Sequence, residues 1–384
     1  MDTFTLKLLL GLLLLATIFR PASFTVEISD TDDSHNDMIQ SILEKLDRAQ
    51  NATEEEEARQ RALVYSTVNY KFPWVKQQNT LPNYFIHKRQ DSSVYANGRV
   101  VFMHHHRSAG TAIRSCMDDH GRKTLQAWSP VMGSDDRADW DAGSMMDNTL
   151  REKLKFHRGM YAFNLCDTHQ GDCSYFTMLR HPLERAKSSY EYCKSAYGDE
   201  MCQGLNANEV DLRDWIIHQG SLLFNQLLFR SDICLNFTAS QPSGVKTPPC
   251  WLIHKSYIDT LSSDDRNKLL KYILHNLDKW FAAIGIFEEM DKSLQMLEHL
   301  YGIPLDKCKH MLKDNKDASL QNNKANRRKD VQEQNQESEF YSNSDPDYLQ
   351  YDYMVTKTLA PDIKIYEKAK EIFSIQKQKF FNKI

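Results

Sequence analysis

The 384-residue sequence lacks several features that mark common classes of protein. It has no excess of positive charge, because 48 Lys and Arg stand against 52 Asp and Glu, for a formal net charge of −4. No nucleic-acid partner is therefore expected, and a bound anion must be held by a local cluster of cations. No internal repeat is visible. No Cys-x-x-Cys pair occurs either, which disfavours a zinc site or a redox motif.

The sequence also has little that could cross a membrane. One apolar run, Leu8 to Phe19, follows Lys7 and precedes Arg20. A membrane-spanning helix needs about 20 apolar residues, so this run is long enough only if residues 3–6 contribute to it. Its length also suits a signal peptide cleaved near residues 21–23. An uncleaved signal-anchor and a cleaved signal peptide both place the remaining chain in the secretory lumen.

The cysteine content agrees with an oxidising lumen, where disulfides persist. The chain has eight cysteines. The preferred pairs are close in sequence and bracket loop-like stretches: Cys193/Cys202 and Cys234/Cys250, with Cys166/Cys173 as a third. The alternative is that several cysteines are buried free thiols, because connectivity cannot be derived from sequence.

Composition divides the chain into three segments. Residues 1–23 are the signal-anchor or signal peptide. Residues 24–95 are interpreted as a lumenal stem and the segment that leads into the domain, because they begin polar and acidic and contain a short amphipathic helical pattern. That helix could alternatively pack on the domain. Residues 96–384 form the predicted domain, and within it residues 313–346, rich in Asn, Gln, Lys, Glu and Ser, are predicted to be a mobile loop.

Apolar runs alternate with helical patterns along the predicted domain. Buried strands are predicted at 100–103, 175–179 and 281–287, where β-branched and aromatic residues cluster. Helical spacing predicts helices over residues 112–120, 150–154, 183–197, 205–230, 262–280, 290–300 and 362–378, with 126–143 as a loop. Strands that alternate with helices favour an α/β fold, and we expect a three-layer sandwich with a central, mainly parallel sheet.

The domain is organised around the stretch RVVFMHHHRSAGTAI, residues 99–113. Its strand breaks into the small and polar residues 107–111, and a helix resumes from Ala112. Such a loop offers backbone N–H groups and a helix N-terminus to an anion, with the cation Arg107 beside them. We therefore predict a P-loop-like site for a phosphorylated ligand here. The alternative is an ordinary surface loop between a strand and a helix.

A second strand end has related chemistry. The predicted strand at 175–179 ends in Arg180-His181-Pro182 and passes directly into a helix that contains Ser188. Arg180 and Ser188 could converge on a phosphate through charge-assisted hydrogen bonds. The alternative is that Arg180 pairs with a carboxylate and Ser188 is a serine on the helix surface.

In this order, the two motifs resemble those of the Golgi membrane-associated carbohydrate sulfotransferases, a family that includes heparan sulfate 2-O-sulfotransferase. The family loop H-x-P-K-T-G-G-T is matched by residues 104–111, and the family motif L-R-D-P-x-x-R-x-x-S-x-Y by residues 179–190. Weaker similarities occur at 225–226, 284–294 and 362–366. The resemblance covers about Val100 to Phe373.

The resemblance implies an enzyme that transfers sulfate from 3′-phosphoadenosine 5′-phosphosulfate to a hydroxyl of a glycan, either a glycosaminoglycan or a glycoprotein oligosaccharide. It would lie in the Golgi membrane with a lumenal catalytic domain, or be secreted after cleavage, and no metal is expected. The implied donor-binding residues are Arg107, Ser108, Ala109, Gly110, Thr111, Ala112, Arg180 and Ser188.

Two of the departures from the family loop bear on the chemistry. Arg107 replaces a lysine that touches the bridging oxygen of the donor, and we assign it a catalytic role as the cation beside the leaving phosphate. Ala109 replaces a glycine, which is tolerable only if its φ stays negative.

The catalytic base is less evident. Relatives place the histidine of a Gly-His pair between the two motifs, but Met160 stands there, and a thioether cannot accept a proton. The nearest substitute is His157, which we predict to be the base because a histidine pKa suits the task. Further candidates are His104, His105, His106 and His169. A metal site formed by 104–106 is disfavoured, since adjacent strand residues point to opposite faces.

Two other classes stay open. Met160 and Arg107 would also fit a pseudoenzyme that binds the donor or a glycan without turnover. A P-loop phosphotransferase is disfavoured, because no GxxxxGK[ST] and no evident magnesium-binding carboxylate after a strand occur. An acidic glycan would need a basic surface, for which the candidates are Arg151, Lys153, Lys155, Arg158, Lys324, Arg327, Arg328 and Lys329.

Overall fold

The structure is a computed structural model of the chain. It describes residues 33–75, 79–87, 91–124, 127–132, 154–160, 162–163, 165–168, 171–196, 199, 202–229, 250–305 and 346–382. The predicted signal segment, His169 and nearly all of the predicted mobile loop lie outside this part. The chain divides into two compact units, residues 1–62 and 63–384. Within the described residues, no helix combines the length and apolar character needed to span a bilayer.

One long helix is followed, from residue 92 onward, by five strands and nine further α-helices in the described part of the chain. In chain order they are α1 (Asp33–Lys71), α2 (Ser92–Asn97), β1 (Arg99–Met103), α3 (Gly110–Lys123), β2 (Ala127–Met132), β3 (Leu154–Gly159), β4 (Cys173–Leu179), α4 (Pro182–Ser195), α5 (Leu212–Gln219), α6 (Leu222–Leu227), α7 (Cys250–Thr260), α8 (Ser263–Trp280), β5 (Phe281–Ile286), α9 (Met290–Tyr301) and α10 (Tyr353–Phe381).

The second unit is built on a five-stranded sheet. Its strand order is β2-β3-β1-β4-β5, and every neighbouring pair is parallel. All residues of β4 and β5 are buried, and β1 is exposed only partly, at its first residue. Strands buried on both faces require cover on both sides. The predicted α/β class with a parallel sheet is thus confirmed, and the burial is consistent with three layers.

Two strands lie where the sequence pattern predicts other structure. Residues 127–132 form β2 although 126–143 were predicted as a loop, and 154–159 form β3 although no strand was predicted there; the predicted helix at 150–154 lies outside the described residues except for Leu154. β2 contains Pro130 and pairs with β3 through two register shifts, which an edge strand tolerates. β3 reads LKFHRG, so its basic residues conceal the apolar pattern of a buried strand.

A third difference concerns the helical stretch predicted over 205–230. Two shorter helices occur there, α5 and α6, separated at Gly220. Gly220 has φ 67°, which ends α5 because a left-handed residue cannot continue a right-handed helix. α6 begins after this break and supplies a residue to the site described below.

Two predicted disulfides are present. Cys166 is bonded to Cys173, and Cys193 is bonded to Cys202. No cysteine in the described part of the chain is a free thiol. The predicted Cys234/Cys250 pair involves side chains outside the described residues.

The outer edge of β5 is covered by a side chain. Gln376 of α10 is fully buried and donates from Nε2 to the carbonyl of Ile284 at 2.7 Å. Its Oε1 accepts from the Ile284 N–H at 3.0 Å and from Asn83 Nδ2 at 2.6 Å. The amide thus replaces a neighbouring strand and protects this edge from further pairing.

Candidate anion-binding site at the carboxyl edge of the sheet

The two sequence motifs lie at the ends of neighbouring strands. β1 leads into the loop 104–109, and β4 leads into residues 180–181; the strands are paired, with Met103 opposite Thr177. After β1 the chain continues toward β3 and β2, whereas after β4 it continues toward β5, so the strand order reverses between β1 and β4. Open parallel sheets bind ligands in the crevice outside the carboxyl ends of strands at such a reversal. Both motifs therefore occupy the place where the fold itself favours a ligand.

The loop after β1 has an unusual backbone. Arg107 has φ 59° and Ala109 has φ 64°, whereas Ser108 between them is not in the left-handed region. The expectation that φ of Ala109 stays negative is therefore wrong. Each non-glycine residue in this region costs on the order of 1 kcal/mol, and such strain is often concentrated at functional sites. Alternation between left-handed and right-handed residues turns successive N–H groups to one side, which is the geometry of an anion-binding nest.

The first turn of α3 presents unused donors. Its first helical hydrogen bond runs from the Ile113 N–H to the Ala109 carbonyl at 3.2 Å. The N–H groups of residues 110–112 consequently have no partner inside the helix, and Ala109 at the N-cap supplies no side-chain bond. Thr111 is exposed here, whereas Ser108 is fully buried and directs its hydroxyl to the carbonyl of His106. An anion would thus meet mainly backbone donors.

Only glycine fits at position 110, because the ring of His104 fills the space that a Cβ would occupy. A Cβ at Gly110 would collide with Cδ2 and Nε2 of that imidazole. The ring also stacks on Phe102, with 5.7 Å between centroids, and the His104 N–H donates to the Gly159 carbonyl at 2.9 Å. These contacts fix the ring directly over the start of α3.

Three predicted donor-site residues from the two motifs meet at this edge. Arg107 Nε donates to Ser188 Oγ at 3.1 Å, and Arg180 Nη1 donates to the Arg107 carbonyl at 3.2 Å. The Arg107 guanidinium lies over the Tyr192 ring at 4.8 Å, and that of Arg180 lies over the Phe287 ring at 4.7 Å. Each guanidinium therefore lies against an aromatic ring, within the range of a cation–π interaction.

The two arginines form a concentration of positive charge. Burial lowers the pKa of Arg107, and the charge of Arg180 lowers it further. Burial likewise lowers the pKa of Arg180, although Glu184 and Glu288 nearby oppose this. Among the described residues, neither arginine makes an ion pair with a carboxylate. A bound dianion would relieve the repulsion between them, so the site favours phosphate chemistry.

The three histidines after β1 are held in the neutral form. Removal from water lowers the pKa of His104 to about 4 and that of His105 to about 3. The pKa of His106 is lowered well below its usual value by the same cause and by the neighbouring histidines. Within the described residues, no group of three or more His, Cys, Asp or Glu side chains could hold a metal ion.

The predicted base occupies a different position from the arginines. His157 is paired with Val101 in the middle of β3 and is 3% exposed. β3 ends at Gly159, so His157 lies about 7 Å along the strand below that end. The structure brings Arg107, Arg180 and Ser188 together and places His157 inside the sheet. Its role as the base stays a prediction.

Two of the basic residues predicted to bind an acidic glycan lie in the described part of the chain. Arg158 is buried and forms an ion pair with Asp118, so its charge is already compensated. Lys155 is partly buried beside the Phe156 ring. The other basic candidates lie outside the described residues: Arg151, Lys153, Lys324, Arg327, Arg328 and Lys329.

Three residues of the site were not predicted from sequence. Tyr192 follows Ser188 by four positions on α4, and this helical spacing was the available signal. Phe287 follows directly after β5, within the 284–294 similarity. Gln226 lies within the 225–226 similarity, but that similarity did not indicate its contact with His105, which is 121 positions away.

The fold and the site define an α/β protein in which two arginines lie at the carboxyl edge of the sheet, after the neighbouring strands β1 and β4. No protein-family model matches the chain, and no curated protein matches it either. A functional proposal must therefore rest on the two motifs and on the arrangement of their side chains.

Proposed function

We propose that the protein transfers sulfate from 3′-phosphoadenosine 5′-phosphosulfate to a hydroxyl of a glycan in the secretory lumen. One observation carries this proposal: Arg107 contacts both Ser188 and Arg180 where β1 and β4 end, and neither arginine forms an ion pair with a carboxylate in the described part of the chain. The two phosphate groups of this donor match two sets of donors on either side of the crevice. Two disulfides are compatible with a lumenal protein.

The loop and α3 suit the 5′-phosphosulfate. The N–H groups of residues 108–112 would bind its oxygens, and Arg107 would lie beside the bridging oxygen. Arg180 and Ser188 suit the 3′-phosphate. Ser188 Oγ accepts from Arg107, which leaves its own O–H free to donate to a phosphate oxygen.

Sulfate transfer then needs an acceptor hydroxyl in line with the bond that breaks. The hydroxyl oxygen forms a bond to sulfur, the bond from sulfur to the phosphate oxygen breaks, and 3′-phosphoadenosine 5′-phosphate leaves. The Arg107 guanidinium stabilises the charge that develops on the leaving phosphate. His157 is the proposed acceptor of the hydroxyl proton. No protein-bound metal is part of the proposal.

In the cell, we propose a Golgi location. The N-terminal apolar run would hold the protein in the membrane as a single-pass type II protein, or its cleavage would release the protein for secretion.

A pseudoenzyme is the second candidate. Met160 stands at the position where the resembled enzymes carry a histidine, and the structure uses its carbonyl as an acceptor for Gln226. The predicted replacement, His157, is 3% exposed. Such an arrangement favours donor binding without proton transfer.

A transfer assay separates the candidates. Donor with labelled sulfate is incubated with the full chain and with desulfated glycosaminoglycans or desialylated glycoproteins, and label in the glycan is counted. The proposal is supported if Arg107→Ala reduces transfer and Arg213→Ala does not, since Arg213 is an arginine that already pairs with a carboxylate, that of Asp352. Donor binding without transfer to any acceptor indicates the pseudoenzyme. If the folded protein neither binds the donor nor transfers sulfate, both candidate functions are overturned.

A further inference from the structure

A fully buried glutamine joins two strand ends next to the crevice. Gln226 of α6 donates from Nε2 to the carbonyl of His104 at 3.3 Å and to that of Met160 at 3.1 Å. Its Oε1 lies 2.6 Å from Nδ1 of His105. His104 and Met160 are the first residues after β1 and β3, so a single amide bridges the two strand ends.

The same amide sets the tautomer of His105. Because both bonds to the carbonyls require the Nε2 side of Gln226, its Oε1 faces His105 and can only accept. Nδ1 of His105 must therefore carry the proton, and Nε2 of the ring is left with the lone pair. The lowered pKa of His105 agrees with a neutral ring.

The hydrogen bonds of Gln226 also bear on the conformation of the anion-binding loop, residues 104–109. His104 fixes its ring over Gly110, and Arg107 lies three residues further along the same loop. Gln226 holds the two residues from which this loop starts. α6 is itself held by Asp362, whose carboxylate accepts from the Leu223 N–H at 3.0 Å and the Phe224 N–H at 2.9 Å.

We propose that Gln226 is a positioning residue: it sets the start of the anion-binding loop against the end of β3 and fixes the Nδ1–H tautomer of His105. It touches no ligand in this scheme. The identity of the ligand as the sulfate donor rests on the proposed function. The role of Gln226 in positioning the loop does not depend on that identity.

The main test compares two buried glutamines. Gln226→Met keeps the length of the side chain and removes all three hydrogen bonds. Gln376→Met makes the same change at the β5 edge, where three hydrogen bonds are also lost. Both variants should unfold at lower temperature. Only Gln226→Met should speed amide hydrogen exchange at 104–110 and weaken binding of 3′-phosphoadenosine 5′-phosphate by about tenfold or more. Equal exchange and equal affinity in the two variants would overturn the proposal.

A second variant covers the case in which Gln226→Met does not fold. Gln226→Glu preserves the acceptor for His105 but loses the donors to the two carbonyls, and a carboxylate beside the ring raises the pKa of His105. Nitrogen NMR should show the Nδ1–H tautomer in the wild type, and in Gln226→Glu a protonated ring that titrates above the wild-type pKa. A wild-type ring in the Nε2–H tautomer contradicts the proposal.

The measurements distinguish a failure of the proposed function from a failure of the positioning role of Gln226. If the wild type does not bind the nucleotide, the proposed function fails, and hydrogen exchange and NMR still decide the role of Gln226. If the wild type binds but Gln226→Met behaves like Gln376→Met, the positioning role fails and the donor proposal stands.

Discussion

The Nε–H of Arg107 donates to Oγ of Ser188 at 3.1 Å, although the two residues are 81 positions apart in the chain. This contact joins the loop after β1 to the helix after β4, across the point where the strand order reverses. Two motifs that are separate in sequence thus become one site, with the charge of Arg107 aimed by a serine from the other motif.

Ser188→Ala tests that contact. The substitution removes the acceptor for Arg107 and the donor proposed for the 3′-phosphate, so affinity for 3′-phosphoadenosine 5′-phosphate should fall by about tenfold. Ser195→Ala is the matched control, because Ser195 lies on the same helix and directs its hydroxyl to the Tyr192 carbonyl. Calorimetric titration of both variants measures the effect, and equal affinities would contradict it.

Arg107→Lys should weaken binding of the nucleotide, even though the resembled family has a lysine at this position. An ammonium group lacks the fork that lets Arg107 bind Ser188 and stack on Tyr192 at the same time. We expect about tenfold weaker nucleotide binding. Tighter binding by Arg107→Lys would show that the aromatic contact does not hold the cation in place.

Gly110→Ala should damage the site through His104. The added Cβ collides with the imidazole, and overpacking of this kind costs about 1–3 kcal/mol. Gly302→Ala is the control: its φ of 66° makes it costly by about 1 kcal/mol, but open space surrounds the position. Both variants should lose stability to urea, and only Gly110→Ala should also lose nucleotide affinity. Unchanged affinity in Gly110→Ala would argue against the fixed His104 ring.

Stability should decline as the pH falls below about 6.5. The folded-state pKa is about 4 for His104 and about 3 for His105, whereas the unfolded chain protonates both near pH 6.5. The unfolded state therefore binds more protons, and each histidine removes about 1.4 kcal/mol per pH unit until its folded pKa is reached. Burial raises the pKa of Asp362 to about 6, so this carboxyl acts oppositely below pH 6.

Two histidines outweigh one carboxyl in that window, so the free energy of unfolding should fall between about pH 6.5 and pH 4.5. Urea titrations across this range measure it. His105→Gln removes one titrating group and should reduce the slope. A flat profile in the wild type would contradict the neutral state of the histidines.

Sequence patterns predicted the three strands that are continuous apolar runs. β1, β4 and β5 were recognisable because buried parallel strands are continuous apolar runs. β2 and β3 were missed because Pro130 and the basic residues of β3 interrupt that pattern. The order of the two motifs predicted that Arg107, Arg180 and Ser188 belong to one site. The structure places them in contact.

Other features depend on long-range packing. The positive φ of Ala109 belongs to the loop as a whole, and an alanine gives no local signal for it. The roles of Gln226 and of Phe287 follow from which helices and strands meet at the crevice. A single sequence without packing information does not contain them.

The central claim is that Arg180 and the loop after β1 bind a nucleotide with a 3′-phosphate. Calorimetric titration of the full chain with 3′-phosphoadenosine 5′-phosphate, beside Arg180→Ala and the control Arg213→Ala, tests it most directly. We expect the wild type and Arg213→Ala to bind the nucleotide, and a folded Arg180→Ala to have lost this binding. No binding by the folded wild type, or unchanged binding by Arg180→Ala, would contradict it.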